Sequence, residues 1–228
     1  RDAAAEFYTR HDGTECLKIC GAPVMEDWEA PLMAALAEVV CGRRASKGGS
    51  GRILEVGYGL GLSAFAIDEL GCTDGTEEDV GIVEHVIIEA NKEVAETAKT
   101  FAKETAKVKT TVLEGFWQEE CMRLEDGSFS GILFDAFPLQ KSEVIDGEAY
   151  AFFQTAARLL EPGGVFTFYF DLADSWIATR QAFKGEITKQ LLAAGFSRVE
   201  EGEEVAVNPP KECEYFWKSA FLVPVCIR

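Results

Sequence analysis

The sequence has few of the residues that mark membrane, metal-binding or secreted proteins. Its 228 residues contain no apolar run of about 18 residues, the length that a membrane-spanning helix requires, so we expect no membrane partner. Histidine occurs only twice and the seven cysteines form no C-x-x-C pair, so the sequence predicts no metal site. An odd number of scattered cysteines is typical of reduced thiols, and we therefore expect a cytoplasmic protein.

Basic residues are also scarce. The chain has 22 Lys and Arg against 39 Asp and Glu, which gives a formal net charge of −17. A surface of this sign repels phosphate backbones, so we expect no nucleic-acid partner, and it attracts cations. Acidity also serves solubility, and charge alone therefore does not identify a substrate.

Short apolar runs rich in β-branched and aromatic residues alternate with helix-length segments. This alternation predicts one α/β domain over residues 1–228, with a mostly parallel, Rossmann-like sheet and helices on both faces. The predicted strands are residues 53–56, 86–88, 110–113, 131–134 and 165–170. The predicted helices are residues 28–41, 62–70, 92–105, 150–160 and 177–194.

Two parts of the chain lie outside this alternation. Residues 1–42 are interpreted as an N-terminal helical or lid segment, and residues 52–228 as the Rossmann-like core. Residues 197–207 and 219–227 read as two further strands with no helical pattern between them, which predicts an antiparallel hairpin that closes the sheet. A monomer or a homodimer is expected.

A glycine-rich turn follows the first predicted strand of the core. Glu55 precedes glycines at 57, 59 and 61, where backbone must pass close to a ligand. Such a turn serves a dinucleotide, a nucleoside or no ligand, and the dinucleotide fingerprint G-x-G-x-x-G is not met because the third glycine comes one residue early.

The G-x-G-x-G spacing resembles the first motif of class I S-adenosylmethionine-dependent methyltransferases. The resemblance implies that Glu55, Gly57, Gly59 and Gly61 lie at the cofactor, that Glu89 and Ala90 meet its ribose, and that Gly115, Phe116 and Trp117 flank its adenine. A surface or helix-capping role for Glu89 and a core role for Trp117 remain alternatives.

Longer segments resemble the guanidinoacetate N-methyltransferase family, which is related to the arginine Nδ-methyltransferases. The most specific are P-V-M-E-D-W-E at residues 23–29 and D-A-F-P-L at residues 135–139, supported by residues 88–91 and 159–165. The resemblance implies a seven-stranded class I fold and methyl transfer from S-adenosylmethionine to a guanidino nitrogen, with S-adenosylhomocysteine as product. Guanidinoacetate, which gives creatine, is the expected acceptor.

Two carboxylates, Glu29 and Asp135, are the expected catalytic and acceptor-binding groups. A guanidinium is planar, carries its donors in a fork and stays protonated at neutral pH, so paired carboxylates suit it. Asp135 ends the fourth strand, at the edge where open α/β sheets bind ligands, and is expected to take a proton as the N–C bond forms. A helix cap for Asp135 and a solvated helical position for Glu29 are the alternatives.

The resemblance also implies that Met25 and Met33, together with Val24, cover the methionine end of the cofactor, although core packing would use the same residues. It places backbone N–H groups of Leu172 and Ala173 at the acceptor's carboxylate. The segment around these two residues is one residue longer than the family pattern and carries two acids. An arginine Nδ-methyltransferase acting on a protein, and a catalytically silent S-adenosylmethionine-binding interaction protein, therefore remain alternatives. His11 and His85 are expected at the surface.

Overall fold

The computed structural model describes residues 2–42, 50–71, 81–136, 151–170 and 176–228. Within these ranges the chain forms twelve strands, which are arranged in a three-stranded, a two-stranded and a seven-stranded sheet. The strands are β1 Ala5–Thr9, β2 Glu15–Ile19, β3 Ala22–Glu26, β4 Arg52–Val56, β5 Glu84–Glu89, β6 Thr110–Glu114, β7 Phe129–Phe134, β8 Leu160–Phe168, β9 Arg198–Glu200, β10 Glu204–Ala206, β11 Ala220–Leu222 and β12 Val225–Ile227.

The seven-stranded sheet has the order β6-β5-β4-β7-β8-β12-β9. Strands β4 to β8 are parallel, and β12 pairs antiparallel with both β8 and β9. All five predicted core strands are present, and the predicted α/β class is confirmed. The carboxyl ends of β6, β5, β4 and β7 therefore lie side by side at one edge of the sheet.

Helices cover both faces of this sheet. They are α1 Ala30–Gly42, α2 Leu62–Gly71, α3 Lys92–Glu104, α4 Trp117–Glu120, α5 Ala151–Leu159, α6 Trp176–Ala182 and α7 Thr188–Ala194, the last two joined by a π-helical turn over Phe183–Ile187. Strand residues alternate between the two cores: Ile53 packs with α1 and α2, whereas the next residue, Leu54, packs with α5 and α7. None of the helices that the structure describes is both long and apolar enough to cross a bilayer.

The N-terminal segment is largely a β-sheet, and the helical prediction for residues 1–42 is wrong over residues 5–26. Strands β1, β2 and β3 pair antiparallel in sequence order. Cys20 and Gly21, with φ of 51° and 76°, form the two-residue turn between β2 and β3, and such left-handed turns suit the twist of a hairpin. Helix begins only after β3, with a 3-10 turn over Asp27–Glu29 and then α1.

This small sheet packs against the amino-terminal part of α3 and the glycine turn. Leu17 shares a buried cluster with Tyr58 and Phe101. The N–H of Ala5 donates to Glu93 over 2.7 Å, and the side-chain amide of Asn91 donates to the carbonyl of Ala3 over 2.7 Å. Residues 2–26 are therefore held close to the edge where the core strands end.

The predicted C-terminal hairpin is present, and it is divided into two parts. The pair β9 and β12 belongs to the large sheet, whereas β10 and β11 form the two-stranded sheet. The division lies at Gly202, where φ is 70° and a Cβ atom would collide with the carbonyl oxygen of Val223. This close crossing lets one hairpin close the large sheet and also extend beyond it.

Candidate functional site

The glycine turn after β4 forms the floor of the site. Gly57, Gly59 and Gly61 all have positive φ, of 93°, 54° and 79°. A Cβ atom on Gly57 would collide with the carbonyl oxygen of Asp135, which follows β7. The turn thus brings the ends of β4 and β7 into direct backbone contact, which the missing side chain of Gly57 permits.

Met25 lies directly on this turn. Its sulfur accepts a hydrogen bond from the N–H of Leu60 over 3.3 Å, and a Cβ atom on Gly59 would lie 2.8 Å from that sulfur. Met25 therefore lies beside the glycine turn, where the resemblance places the cofactor. Met33, in contrast, is fully buried in the core between α1 and the sheet, and Val24 is half-buried. Core packing accounts for Met33 in this conformation.

Glu55 lies behind the turn. Its side chain has no exposed surface, one oxygen accepts a hydrogen bond from the hydroxyl of Ser63, and the other is 2.8 Å from Nε2 of His85. Glu55 has no exposed atom that could touch a cofactor, so this structure does not support the predicted direct contact. The contacts of Glu55 indicate that it positions the turn. His85 is equally buried, so its expected surface position is wrong.

Glu89 joins the end of β5 to the glycine turn. One carboxylate oxygen accepts the N–H of Tyr58 over 2.9 Å, and the other accepts the N–H of Asn91 over 2.7 Å. Burial raises the pKa of Glu89, and these backbone hydrogen bonds oppose the rise. Glu89 and the half-buried Ala90 therefore lie at the strand edge, beside the glycine turn.

The segment after β6 supplies an aromatic wall. The N–H of Gly115 donates to the carbonyl of Glu89 over 2.9 Å. Phe116 precedes α4, and the ring of Trp117 meets Phe152 edge-on at 5.1 Å between centroids. A Cβ atom on Gly115 would lie 2.5 Å from Oε1 of Glu120, so the lack of a side chain at Gly115 makes room for the Glu120 side chain. Trp117 is half-buried and packs on the core. Its position agrees with core packing and also with the expected place beside the adenine.

Asp135 lies where β7 ends, beside the glycine turn. Its N–H donates to the carbonyl of Val56 over 2.8 Å, which fixes the backbone between two strand ends. Burial, with a further contribution from the negative charge of Glu55, raises the pKa of Asp135 to about 7. No residue in the described part of the chain donates a hydrogen bond to its carboxylate or forms an ion pair with it.

Glu29 ends the 3-10 turn that leads into α1. Its Oε1 accepts the N–H of Glu26 over 3.0 Å and the hydroxyl of Tyr215. The side chain is 3% exposed, so its charge is almost entirely removed from solvent. Burial raises the pKa of Glu29 to about 8, against the effect of these two hydrogen bonds, and the negative charge of Asp135 contributes to the rise.

The charge of Asp135 is one of the causes that raise the pKa of Glu29, after burial, whereas the pKa of Asp135 is raised by burial and by the charge of Glu55. Within the described ranges no Lys or Arg forms an ion pair with Glu29 or Asp135. Two such carboxylates favour a cation between them, because a cation relieves both the desolvation and the mutual repulsion. A planar guanidinium, which offers donors in two directions, suits this arrangement.

Several residues of this region were not predicted as functional. Tyr215 reaches Glu29 from the loop between β10 and β11. Arg10 donates to both carboxylate oxygens of Glu26, over 2.9 and 3.1 Å, and the indole N–H of Trp28 donates to Glu26 over 2.7 Å. Tyr215 and Glu29 are 186 positions apart in sequence, so no local pattern signals their contact. Leu172 and Ala173, the predicted acceptor-carboxylate ligands, lie outside the described residues.

Comparison with known proteins finds a family that matches the whole chain and relatives that match parts of it. The model of a family described as guanidinoacetate N-methyltransferase matches residues 1–228. Protein arginine N-methyltransferase 2 of Yarrowia lipolytica is 30% identical over 148 residues, which are 64% of this chain and 28% of that protein. Its namesake in Aspergillus oryzae is 27% identical over 211 residues, which are 89% of this chain and 46% of that protein. The chain thus spans less than half the length of these curated relatives.

Solved structures share the fold at low sequence identity. Spermidine synthase from Thermotoga maritima superposes with a TM-score of 0.67 and 12% identity, covering 99% of this chain and 69% of that one. At this identity the likeness concerns the fold alone. It agrees with the strand order described above, and the predicted Rossmann-like class I architecture is confirmed.

Proposed function

The chain belongs to the guanidinoacetate N-methyltransferase family, and from this premise we propose that it methylates a guanidino nitrogen of a small molecule, guanidinoacetate, to give creatine. S-adenosylmethionine is the methyl donor. The observation that carries the choice of a guanidino acceptor is the pair Glu29 and Asp135, two carboxylates with raised pKa values and no cationic partner in the described part of the chain. An acceptor with a fixed positive charge is the chemistry this pair favours.

The strand edge offers groups that fit the donor. S-adenosylmethionine supplies a methyl group that is already activated by its positive sulfonium. In the proposed arrangement Glu89 accepts hydrogen bonds from the ribose hydroxyls, and the chain of the cofactor lies along the backbone of the glycine turn. Phe116 and Trp117 provide the apolar surface for the adenine. The acidic surroundings favour a cationic sulfonium over a neutral product.

Glu29 and Asp135 act on the acceptor in this proposal. They hold the guanidinium in its plane and leave one nitrogen facing the methyl group, so that positioning supplies much of the rate. Asp135 takes the N–H proton that this nitrogen gives up as it bonds to the methyl carbon. A pKa of about 7 suits a group that must be ionised before the reaction and accept a proton during it. Met25, on the glycine turn, excludes water from the methyl group.

A second acceptor class has a specific observation in its favour. The two curated relatives that align with 64% and 89% of this chain carry the name protein arginine N-methyltransferase 2. An arginine side chain presents the same guanidinium to Glu29 and Asp135, so the carboxylate pair serves both acceptors. Backbone N–H groups of Leu172 and Ala173, proposed here to hold the acceptor's carboxylate, would have that role only for a small acid.

The test is a methyl-transfer screen with mass detection of the product. The acceptors are guanidinoacetate, free arginine, other ω-guanidino acids and an arginine-rich protein, each with S-adenosylmethionine. We expect a mass gain of one methyl group on guanidinoacetate, and none with the Asp135→Asn variant as the matched control. Transfer only to the protein would select the second acceptor class. Binding of S-adenosylmethionine without transfer to any guanidino compound would support a silent interaction protein and reject the proposal.

A further inference from the structure

A tyrosine from the C-terminal loop completes the surroundings of Glu29. The hydroxyl of Tyr215 donates to Oε1 of Glu29, 186 positions away in the chain. The N–H of Glu26 donates to the same oxygen over 3.0 Å. Within the described residues Oε2 accepts no hydrogen bond. The two donors thus occupy Oε1 and leave Oε2 without a donor in the described part of the chain.

The loop that carries Tyr215 is held by its own packing. The ring of Trp28 stacks on Phe216 at 5.6 Å between centroids and an interplanar angle of 28°. Phe216 in turn stacks on Phe221 of β11 at 4.0 Å and 13°. The Tyr215 ring lies 6.1 Å from Trp28, at the edge of this cluster. Because these ring contacts do not use the hydroxyl, removal of that hydroxyl should leave the loop in place.

We propose that Tyr215 is a positioning residue for guanidino methylation, which keeps the Glu29 carboxylate ionised and leaves Oε2 available to the acceptor. The proposal rests on the proposed function and adds a residue from a different part of the chain to it. Tyr215 contacts Glu29, and we propose no contact between Tyr215 and the substrate or the cofactor.

The charges around Glu29 explain why such a donor matters. Burial, the strongest effect, and the charges of neighbouring acids favour the neutral form of Glu29, and the two hydrogen bonds favour the charged form. The titratable groups that face Glu29 lie on its own turn, on the strand end opposite and on the C-terminal loop: Glu26, Asp135, Tyr215 and Cys213. Of these, the Tyr215 hydroxyl is a hydrogen-bond donor to the Glu29 carboxylate. Its removal therefore shifts Glu29 toward the neutral form, which cannot pair with a guanidinium.

The test compares Tyr215→Phe with the parent in kcat/KM against pH. We expect the acid limb of the variant to move up by about one pH unit or more, which corresponds to a loss of about 10-fold in kcat/KM at neutral pH. The acceptor's KM should carry much of this loss, and the Kd of S-adenosylmethionine should stay unchanged by calorimetry. Tyr8→Phe is the matched control, because Tyr8 lies on the N-terminal sheet, with its ring 5.2 Å from the Lys18 ammonium group. Superimposable pH profiles for Tyr215→Phe and the parent would overturn the inference.

A second readout does not depend on turnover. In the 13C spectrum of glutamate-labelled protein, the Glu29 carboxyl signal is assigned by its loss in Glu29→Gln, and its titration is compared in the parent and in Tyr215→Phe. A higher titration midpoint in the variant supports the inference, and equal midpoints refute it. If the parent methylates no guanidino compound, the proposed function fails, while this titration still decides whether Tyr215 controls Glu29.

Discussion

Replacement of Glu29 by Gln should stabilise the protein, and the gain should grow with pH. Gln has almost the same shape and keeps an oxygen for the donors Tyr215 and Glu26. It removes a negative charge that is buried beside Asp135. An active-site carboxylate of this kind is expected to lower stability in exchange for function.

The size of the effect follows from the pKa of Glu29, which rises from 4.5 to about 8 on folding. Between these values the folded protein retains a proton that the unfolded chain has lost, so stability falls as the pH rises through this window. One pKa unit corresponds to about 1.4 kcal/mol, so from about pH 5.5 to about pH 8.5 the Glu29 contribution falls by about 3 kcal/mol. Glu29→Gln should escape this loss.

Urea unfolding of the parent and of Glu29→Gln at these two pH values measures the difference. At each pH the free energy of unfolding of the parent is subtracted from that of the variant. This difference should be about 3 kcal/mol larger at about pH 8.5 than at about pH 5.5. Glu38→Gln, at an exposed position of α1, is the control for the amide change itself. A difference between Glu29→Gln and the parent that is the same at both pH values would refute the buried-charge reasoning.

Three further substitutions separate the parts of the site. Asp135→Asn should abolish most turnover and leave the Kd of S-adenosylmethionine nearly unchanged; an unchanged kcat would remove Asp135 from the mechanism. Glu89→Ala should weaken cofactor binding by about 10-fold or more because it deletes a charged hydrogen-bond acceptor, and equal affinity by calorimetry would reject the ribose assignment. Gly57→Ala should lower both Tm and cofactor affinity, since φ is 93° and the new Cβ would collide with the Asp135 carbonyl; a soluble variant with the parent's Tm would contradict that contact.

Local patterns predicted the core of the fold well and its N-terminal segment poorly. Strands such as Ile53 to Val56 are short apolar runs bounded by glycine, and their alternation with helices indicates a parallel sheet. The N-terminal strands are half-exposed and carry charged residues, so their periodicity is weak. The local signal for these strands was the Cys20-Gly21 pair in the turn between β2 and β3. Both residues have positive φ in the structure, and the sequence alone does not reveal this for a cysteine.

The site residues also differ in whether a local sequence pattern could predict them. Glu29 and Asp135 were predicted because each stands in a specific motif next to a strand end or helix start, and in the structure the charge of Asp135 contributes to the raised pKa of Glu29. Tyr215 is far from Glu29 in sequence, and only the folded chain brings them together. His85 was expected at the surface, whereas the sheet places it against Glu55 in the interior.

The central claim is that Glu29 and Asp135 grip one guanidinium beside the methyl donor. A crystal structure with S-adenosylhomocysteine and guanidinoacetate tests it most directly. We expect Oε2 of Glu29 and the carboxylate of Asp135 each within about 3 Å of the guanidinium nitrogens, with one nitrogen facing the sulfur. A guanidinium bound elsewhere, or held by only one of these carboxylates, would contradict the claim.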